Sequence, residues 1–248
     1  MKLCIAGSSA ITVPNRDMFN EDSVLLESFY YVKEWQIPII TKCKFFLLDS
    51  GAFTFMNGSK GTVNWKEYID KYIAFINKYD IKYFFELDVD SVLGYENVKK
   101  IRHYIERNTG KKCIPVWHKA RGKDEWLKLC DEYDYVAIGG IVTREIKPSE
   151  HKYFSWFINE AHKRGCKVHG LGFTNLQGLK KYKFDSVDST SWKSGNRFGT
   201  LYVYEKGTLR QIQKPPGMRM VTGDKYSFIE RFVLEEWIKF QKYAEMYL

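Results

Sequence analysis

Hydrophobic residues in this chain follow two kinds of spacing. At residues 3–7, 45–51, 83–89, 113–118, 135–140, 167–172 and 186–190 they stand in short dense runs, which predict strands buried on both faces. Between those runs, residues 22–35, 64–78, 95–107, 123–132, 148–164 and 175–181 space their apolar side chains three and four apart, which predicts amphipathic helices. Asn64 followed by Glu67 has the spacing of a capping box, and Gly165 suits the stop of the helix before it.

Alternation of strands and helices predicts a parallel sheet, because consecutive parallel strands need a right-handed crossover that covers one face of the sheet. Seven units, with residues 200–204 as a candidate eighth strand, predict a single-domain α/β protein, a (β/α)8 TIM-like barrel over residues 1–248. The competing fold is a doubly wound open sheet with a glycine-rich phosphate loop after an early strand. Gly7-Ser8-Ser9-Ala10 lacks the G-x-G-x-x-G form of that loop.

Composition narrows the class. With 44% hydrophobic and 17% aromatic residues the chain can bury a large core, which excludes a disordered polymer. No run approaches the roughly 18–20 apolar residues of a membrane span, so no membrane partner is expected, and the first apolar stretch stops at Gly7, short of a signal-peptide core. Five cysteines, at 4, 43, 113, 130 and 166, form no CxxC pair and predict neither a disulfide framework nor a zinc knuckle; a reducing cytoplasm is the expected compartment. The net charge of +9 attracts polyanions, of which nucleic acid is the commonest, although a lysine-rich surface kept for solubility gives the same number.

In a barrel the chemistry sits at the C-terminal ends of the strands. Those ends carry Asp49-Ser50-Gly51, Asp88 and Asp90, Trp117-His118, Gly139-Gly140, His169-Gly170-Leu171-Gly172 and Asp188-Ser189-Thr190. Three chemistries could use such a set. A metal hydrolase would draw on Asp88, His118, His169 and Asp188, but the first strand has no His-x-His. A Schiff-base lyase would need a strand lysine, and Lys167 stands at the wrong end of its strand. Glycosyl transfer through two carboxylates would use Asp49 and Asp188, one attacking the anomeric carbon and one handling the leaving group's proton.

Four segments, in order, resemble the tRNA-guanine transglycosylase (queuine tRNA-ribosyltransferase) superfamily. Asp49-Ser50-Gly51-Ala52-Phe53-Thr54 is similar to its Asp-Ser-Gly-Gly-Phe-Gln motif and Ala137-Ile138-Gly139-Gly140-Ile141 to its Ile-Gly-Gly-Leu segment. His169-Gly170-Leu171-Gly172 is similar to its Met-Gly-Val-Gly, and residues 184–188 to the segment bearing its nucleophile. The resemblance implies an irregular TIM barrel and base exchange at guanosine without a cofactor. Asp188 would be the nucleophile and Asp49 the general acid/base. Asp88, His118, Gly139, Gly140, Ile141, His169, Gly170, Ser50 and Phe53 would line the base site, with Asp88 as acceptor for the Watson–Crick donors of a purine. The family's tRNA enzymes carry a zinc site of three cysteines and a histidine beyond the nucleophile, whereas the last cysteine here is Cys166. That departure resembles the short, zinc-free phage and bacterial branch that places 7-deazaguanines such as preQ0 in DNA. The implied partners are DNA first and tRNA second, with a homodimer among the assemblies allowed. Ala52 and Thr54, in place of Gly and Gln, alter the local base pocket.

The segment 192–219 interleaves basic and aromatic residues, and Trp192, Lys193, Arg197, Lys206 and Arg210 are the candidate nucleic-acid contacts. Its alternative is an exposed hairpin around Lys206-Gly207 whose aromatics are core. A C-terminal helix over 224–247 is expected to pack on the barrel through Phe228, Phe232 and Trp237. Trp117 and Phe53 could sandwich a base or belong to the core.

Overall fold

The computed structural model describes residues 1–52, 54, 63–213 and 224–248, apart from the side chains of Asn196, Asp224 and Lys225. Seven strands form one curled parallel sheet: β1 (Lys2–Ala6), β2 (Val24–Ser28), β3 (Phe45–Asp49), β4 (Val116–Trp117), β5 (Tyr135–Ile138), β6 (Lys167–Gly170) and β7 (Ser186–Ser189). Their order is β3-β2-β1-β7-β6-β5-β4. At one edge Leu48 of β3 bridges Phe84, and Phe85 bridges Ile114, two residues ahead of β4 at the other edge. Backbone hydrogen bonds from Leu48 N to Tyr83 O (3.0 Å) and from Glu86 N to Ile114 O (3.0 Å) flank these bridges.

The helices fall largely where the periodicity puts them, at Trp65–Lys78, Tyr95–Thr109, Gly122–Glu132, Phe154–Lys163 and Leu176–Lys181. Asn64 caps the first of these, its side chain accepting from the Glu67 backbone N–H. Two layers of apolar side chains follow from the period of two along each strand. One face of the strands packs against the helices. The other face lines the inside of the curl with Cys4, Ala6, Val24, Leu26, Leu47, Phe85, Val116 and Ala137.

The readings of two segments are corrected. Residues 22–35 are not a helix: Val24, Leu25 and Leu26 are buried on both faces of β2, between β1 and β3, and 3-10 turns begin at Phe29. Because the buried run is short and meets Phe29-Tyr30-Tyr31 without a glycine or proline between, its spacing imitates a helix. Residues 200–204 do not extend the parallel sheet either. They belong to β8 (Thr200–Glu205), which pairs antiparallel with β9 (Thr208–Gln213). Lys206 and Gly207, at φ 47° and 75°, form the two-residue turn, and so tight a reversal yields only an antiparallel pair.

The C-terminal helix, Asp224–Tyr247, buries Val233, Leu234, Trp237, Phe240 and Ala244. Its Gln241 donates to the carbonyls of Leu3 (2.6 Å) and Val24 (2.9 Å), which joins it to β1 and β2. Phe228, expected in this packing face, is 73% exposed instead. Among the described residues no helix is long and apolar enough to cross a membrane.

Candidate active site

Strand parity explains which polar residues meet. Leu47, Val116 and the Tyr135–Ala137 pair point into the curl, so Asp49 and His118, two positions beyond Leu47 and Val116, continue on the inner side at the C-terminal ends. Asp188 lies in β7, with Ser186 two residues before it, and pairs in register with Cys4 of the inner layer.

Two carboxylates are held by backbone N–H groups. Asp49 accepts from Gly51 N at 3.0 Å, and Asp188 Oδ1 accepts from Gly172 N at 2.6 Å. Gly172 has φ +66°, a left-handed conformation that glycine adopts without strain, and this turn aims its N–H at Asp188. Burial pushes the Asp49 carboxyl up to about 6; the Gly51 N–H opposes the shift, and the negative charges of Asp188 and Asp88 add to it. A carboxyl poised near neutrality can both give and take a proton.

Beside this pair lies a charged network. His118 Nε2 is 2.8 Å from Asp88 Oδ2 and its Nδ1 is 2.8 Å from Glu145 Oε2. Burial works against the imidazolium, but the bonds and charge of Asp88 and the bond to Glu145 prevail and raise it to about 9. At neutral pH both ring nitrogens therefore donate. The ring lies over Gly139, where an added Cβ would come within 2.9 Å of His118, so the glycine is needed for this approach. Arg121 Nη2 meets Asp90 Oδ2 at 2.9 Å and Asp88 Oδ1 at 3.5 Å. Behind them the fully buried Glu86 pairs with Arg102 (3.2 Å) and Arg121 (3.4 Å) and accepts from Val116 N. The Arg121 guanidinium lies 4.0 Å from the centre of the Tyr95 ring.

Asp88, Asp90 and His118 offer ligand atoms within 4.8 Å of one another, the spacing of a metal site. Arg121 competes directly for the two carboxylates, and both His118 nitrogens are engaged by carboxylates. The donor set therefore suits an internal ion-pair network better than a cation.

Other predicted residues are distributed unevenly. Ser50 is buried next to Asp49, and its carbonyl accepts from the Tyr68 hydroxyl. Gly140 adopts φ +75° against Glu145, with Ile141 next in the chain. Gly170 packs tightly on Phe173 and Phe184. His169 has no exposed surface. Its ring is enclosed between Ser186 and Asp188, so it touches the carboxylate and presents no edge to a base. Phe53 lies outside the described residues. Trp117 is core, packed on Trp126 and Phe157.

Trp192 needs a correction. It is 1% exposed, packs edge-on against Phe19 and donates through Nε1 to Ala6 O at 2.9 Å, so its ring has no face left for a base. Tyr202 and Tyr204 pack on Trp237 and Tyr243 of the C-terminal helix. Lys193 is partly buried, with its ammonium beside Gly7; burial lowers it to about 8, against the charge of Glu27. Arg197, Phe198 and Lys206 are exposed, whereas Arg210 pairs with Glu205 at 3.1 Å.

Sequence reasoning missed Glu27, Glu86, Arg102, Arg121 and Glu145. Glu27 went unseen with its strand; it accepts from Ser8 Oγ, Ser9 N and Gln36 Nε2. Glu86 stands two residues before Asp88, and an acid inside an apolar run was the available signal. No protein-family model matches the chain, and no curated protein matches it in sequence.

Proposed function

We propose that the protein is a guanine transglycosylase that exchanges guanine in DNA for a 7-deazaguanine base. The observation that carries this reading is the pair of carboxylates on one inner surface. Asp188 is anchored through one oxygen, and Asp49 is held near neutrality chiefly by burial, with the Asp188 charge adding to it. Asp188 attacks C1′ of the target nucleotide; the C1′–N9 bond breaks, and its electron pair leaves with guanine, which takes a proton from Asp49. The incoming base then gives its N9 proton to Asp49 and attacks C1′, and the C1′–oxygen bond returns its electrons to Asp188. Retention of configuration follows from the two displacements. Asp88, oriented by His118 and Arg121, is the acceptor for the donors of the guanine edge.

The fold supports the same reading. Residues 83–86 bridge β3 on one side and Ile114 on the other, and we read them as the fourth strand position of a (β/α)8-like arrangement, with β1–β3 before them and β4–β7 after. Exposed Arg197, Phe198 and Lys206 follow Asp188 and supply charge and a stacking surface for an extruded nucleotide. DNA is preferred over tRNA because no cysteine follows Asp188 in these 248 residues to furnish a zinc-bound RNA-holding element.

The test is guanine release. The protein is incubated with guanine-labelled DNA or tRNA and candidate 7-deazaguanines; release from DNA, abolished in Asp188→Asn while DNA affinity persists, is the expected result. Release from tRNA alone would shift the substrate to RNA, and full activity in Asp188→Asn would remove the nucleophile assignment. The metal-hydrolase reading draws on the Asp88–Asp90–His118 cluster. Stoichiometric bound metal in the purified protein would favour that reading.

A further inference from the structure

Ser186, His169 and Tyr135 are buried polar side chains, and a polar group left unsatisfied in the interior is costly. They satisfy one another in a line. The Tyr135 hydroxyl bonds Ser186 Oγ, Ser186 Oγ lies 2.5 Å from His169 Nδ1, and His169 Nε2 lies 3.2 Å from Asp188 Oδ1. Three neighbouring strands supply the members: Tyr135 opens β5, His169 is in β6, and Ser186 and Asp188 are in β7. The line starts at Tyr135, which borders a cavity of about 600 Å³ at the N-terminal end of the sheet, and finishes on the carboxylate at the other end.

The proton count gives the line a direction. A carboxylate only accepts, so His169 Nε2 carries the hydrogen; in the neutral tautomer that this defines, Nδ1 accepts from the Ser186 hydroxyl, which can in turn accept from Tyr135. Burial and the surrounding charges leave the Tyr135 hydroxyl protonated, so it can donate to Ser186. In that tautomer every donor points toward Asp188. Among the described residues the hydrogen bonds to Asp188, from His169 and from Gly172, both fall on Oδ1, which leaves Oδ2 for the reacting carbon.

We propose that His169, locked in this tautomer by Ser186 and Tyr135, is a positioning residue for Asp188: it fixes Oδ1 and stabilises the carboxylate charge that returns when the C1′–oxygen bond breaks. This rests on the transglycosylase reading above. The two displacements feel the hydrogen bond in opposite directions. It stabilises the free carboxylate, so it slows attack on C1′ slightly and speeds expulsion in the second step.

The test separates those steps in single turnovers with guanine-labelled DNA, measuring formation of the covalent adduct and its breakdown on addition of the incoming base. In His169→Leu, adduct formation is expected to stay within a few-fold of wild type, while breakdown slows roughly 10- to 100-fold, so that adduct accumulates. His169→Gln, which keeps a side-chain donor, should restore breakdown to within about tenfold. Ser186→Ala and Tyr135→Phe should show the same partition more weakly. A folded His169→Leu that slows both steps equally, or neither, overturns the positioning role. Absence of guanine release by the wild type from every substrate overturns the transglycosylase reading, and the role with it. Nitrogen NMR of labelled histidine adds a readout independent of turnover: the His169 proton is expected on Nε2, and an Nδ1–H tautomer overturns the role even if exchange occurs.

Discussion

His118 and Asp88 are joined by a 2.8 Å contact between Nε2 and Oδ2, and the opposite ring nitrogen is held equally closely by Glu145. The imidazole is thereby a clamped cation and no longer a group free to switch. Folding raises its proton affinity from the ordinary value to about 9. Its stabilising contribution is full below pH ~6.5, the ordinary histidine value, and fades as pH rises through about 9. Wild type should lose on the order of 1–3 kcal/mol relative to His118→Asn between pH 6 and pH 9.5 in urea denaturation. A His118 resonance that titrates at or below the ordinary value would contradict the clamp.

Asp49 is also raised, but for the opposite reason: burial disfavours its charged form. Its folded carboxyl is raised to about 6, so the folded state binds this proton more tightly than the unfolded chain. The contribution is full below the unfolded value near 4 and lost as pH rises through about 6, leaving an unfavourable buried charge at neutrality. Asp49→Asn should therefore stabilise the protein at pH 7 by roughly 1–3 kcal/mol, with little gain at pH 4, while guanine release falls at least about 100-fold. Thermal melts at the two pH values check the stability sign, and the release assay checks the role.

Glu86 has no exposed surface and faces two guanidinium groups. Removing one member of such a cluster leaves buried charge without its partner. Glu86→Leu should destabilise the fold by about 3–5 kcal/mol in urea denaturation. A cost below about 1 kcal/mol would mean that water reaches Arg102 and Arg121.

Trp192 and Arg197 stand close in sequence but should respond differently. Trp192→Ala removes a buried ring and the bond to Ala6 O, and should cost about 3–5 kcal/mol of stability. Arg197→Ala and Lys206→Ala should leave stability within about 0.5 kcal/mol and weaken DNA binding, with a shallower dependence on salt. Binding titrations at several salt concentrations distinguish the two classes. A Trp192→Phe protein that folds normally but loses DNA affinity would return the ring to the interface.

Much of this arrangement is legible because a parallel strand advertises itself as a short apolar run whose C-terminal end marks a rim where polar side chains can meet. Asp49, His118 and Asp188 are candidates on that logic, and parity explains why the three point inward. The partners were not legible. Arg102 reaches Glu86 from the middle of a helix, Arg121 from the turn after β4, and Glu145 from the loop after β5, and no local spacing encodes those distances. The sequence puts His169 at a strand end, but it does not tell an inward ring bonded to a carboxylate from one facing substrate. Trp192 failed for a related reason: aromatic residues among lysines and arginines look alike whether they stack on a base or on Phe19.

The reach of Gln241 bears on how the chain assembles. The Leu3 and Val24 carbonyls it serves lie 238 and 217 residues away, and β1 finds its other neighbour only when β7 is present. Contacts this distant in sequence form late and slow the search for the native state. On the ribosome the first strand must therefore remain without its full set of partners until the far end of the chain has emerged. Synthesis that stalls after β7 would leave β1 and β2 with carbonyls unserved and an apolar flank uncovered, a species open to chaperone capture or aggregation.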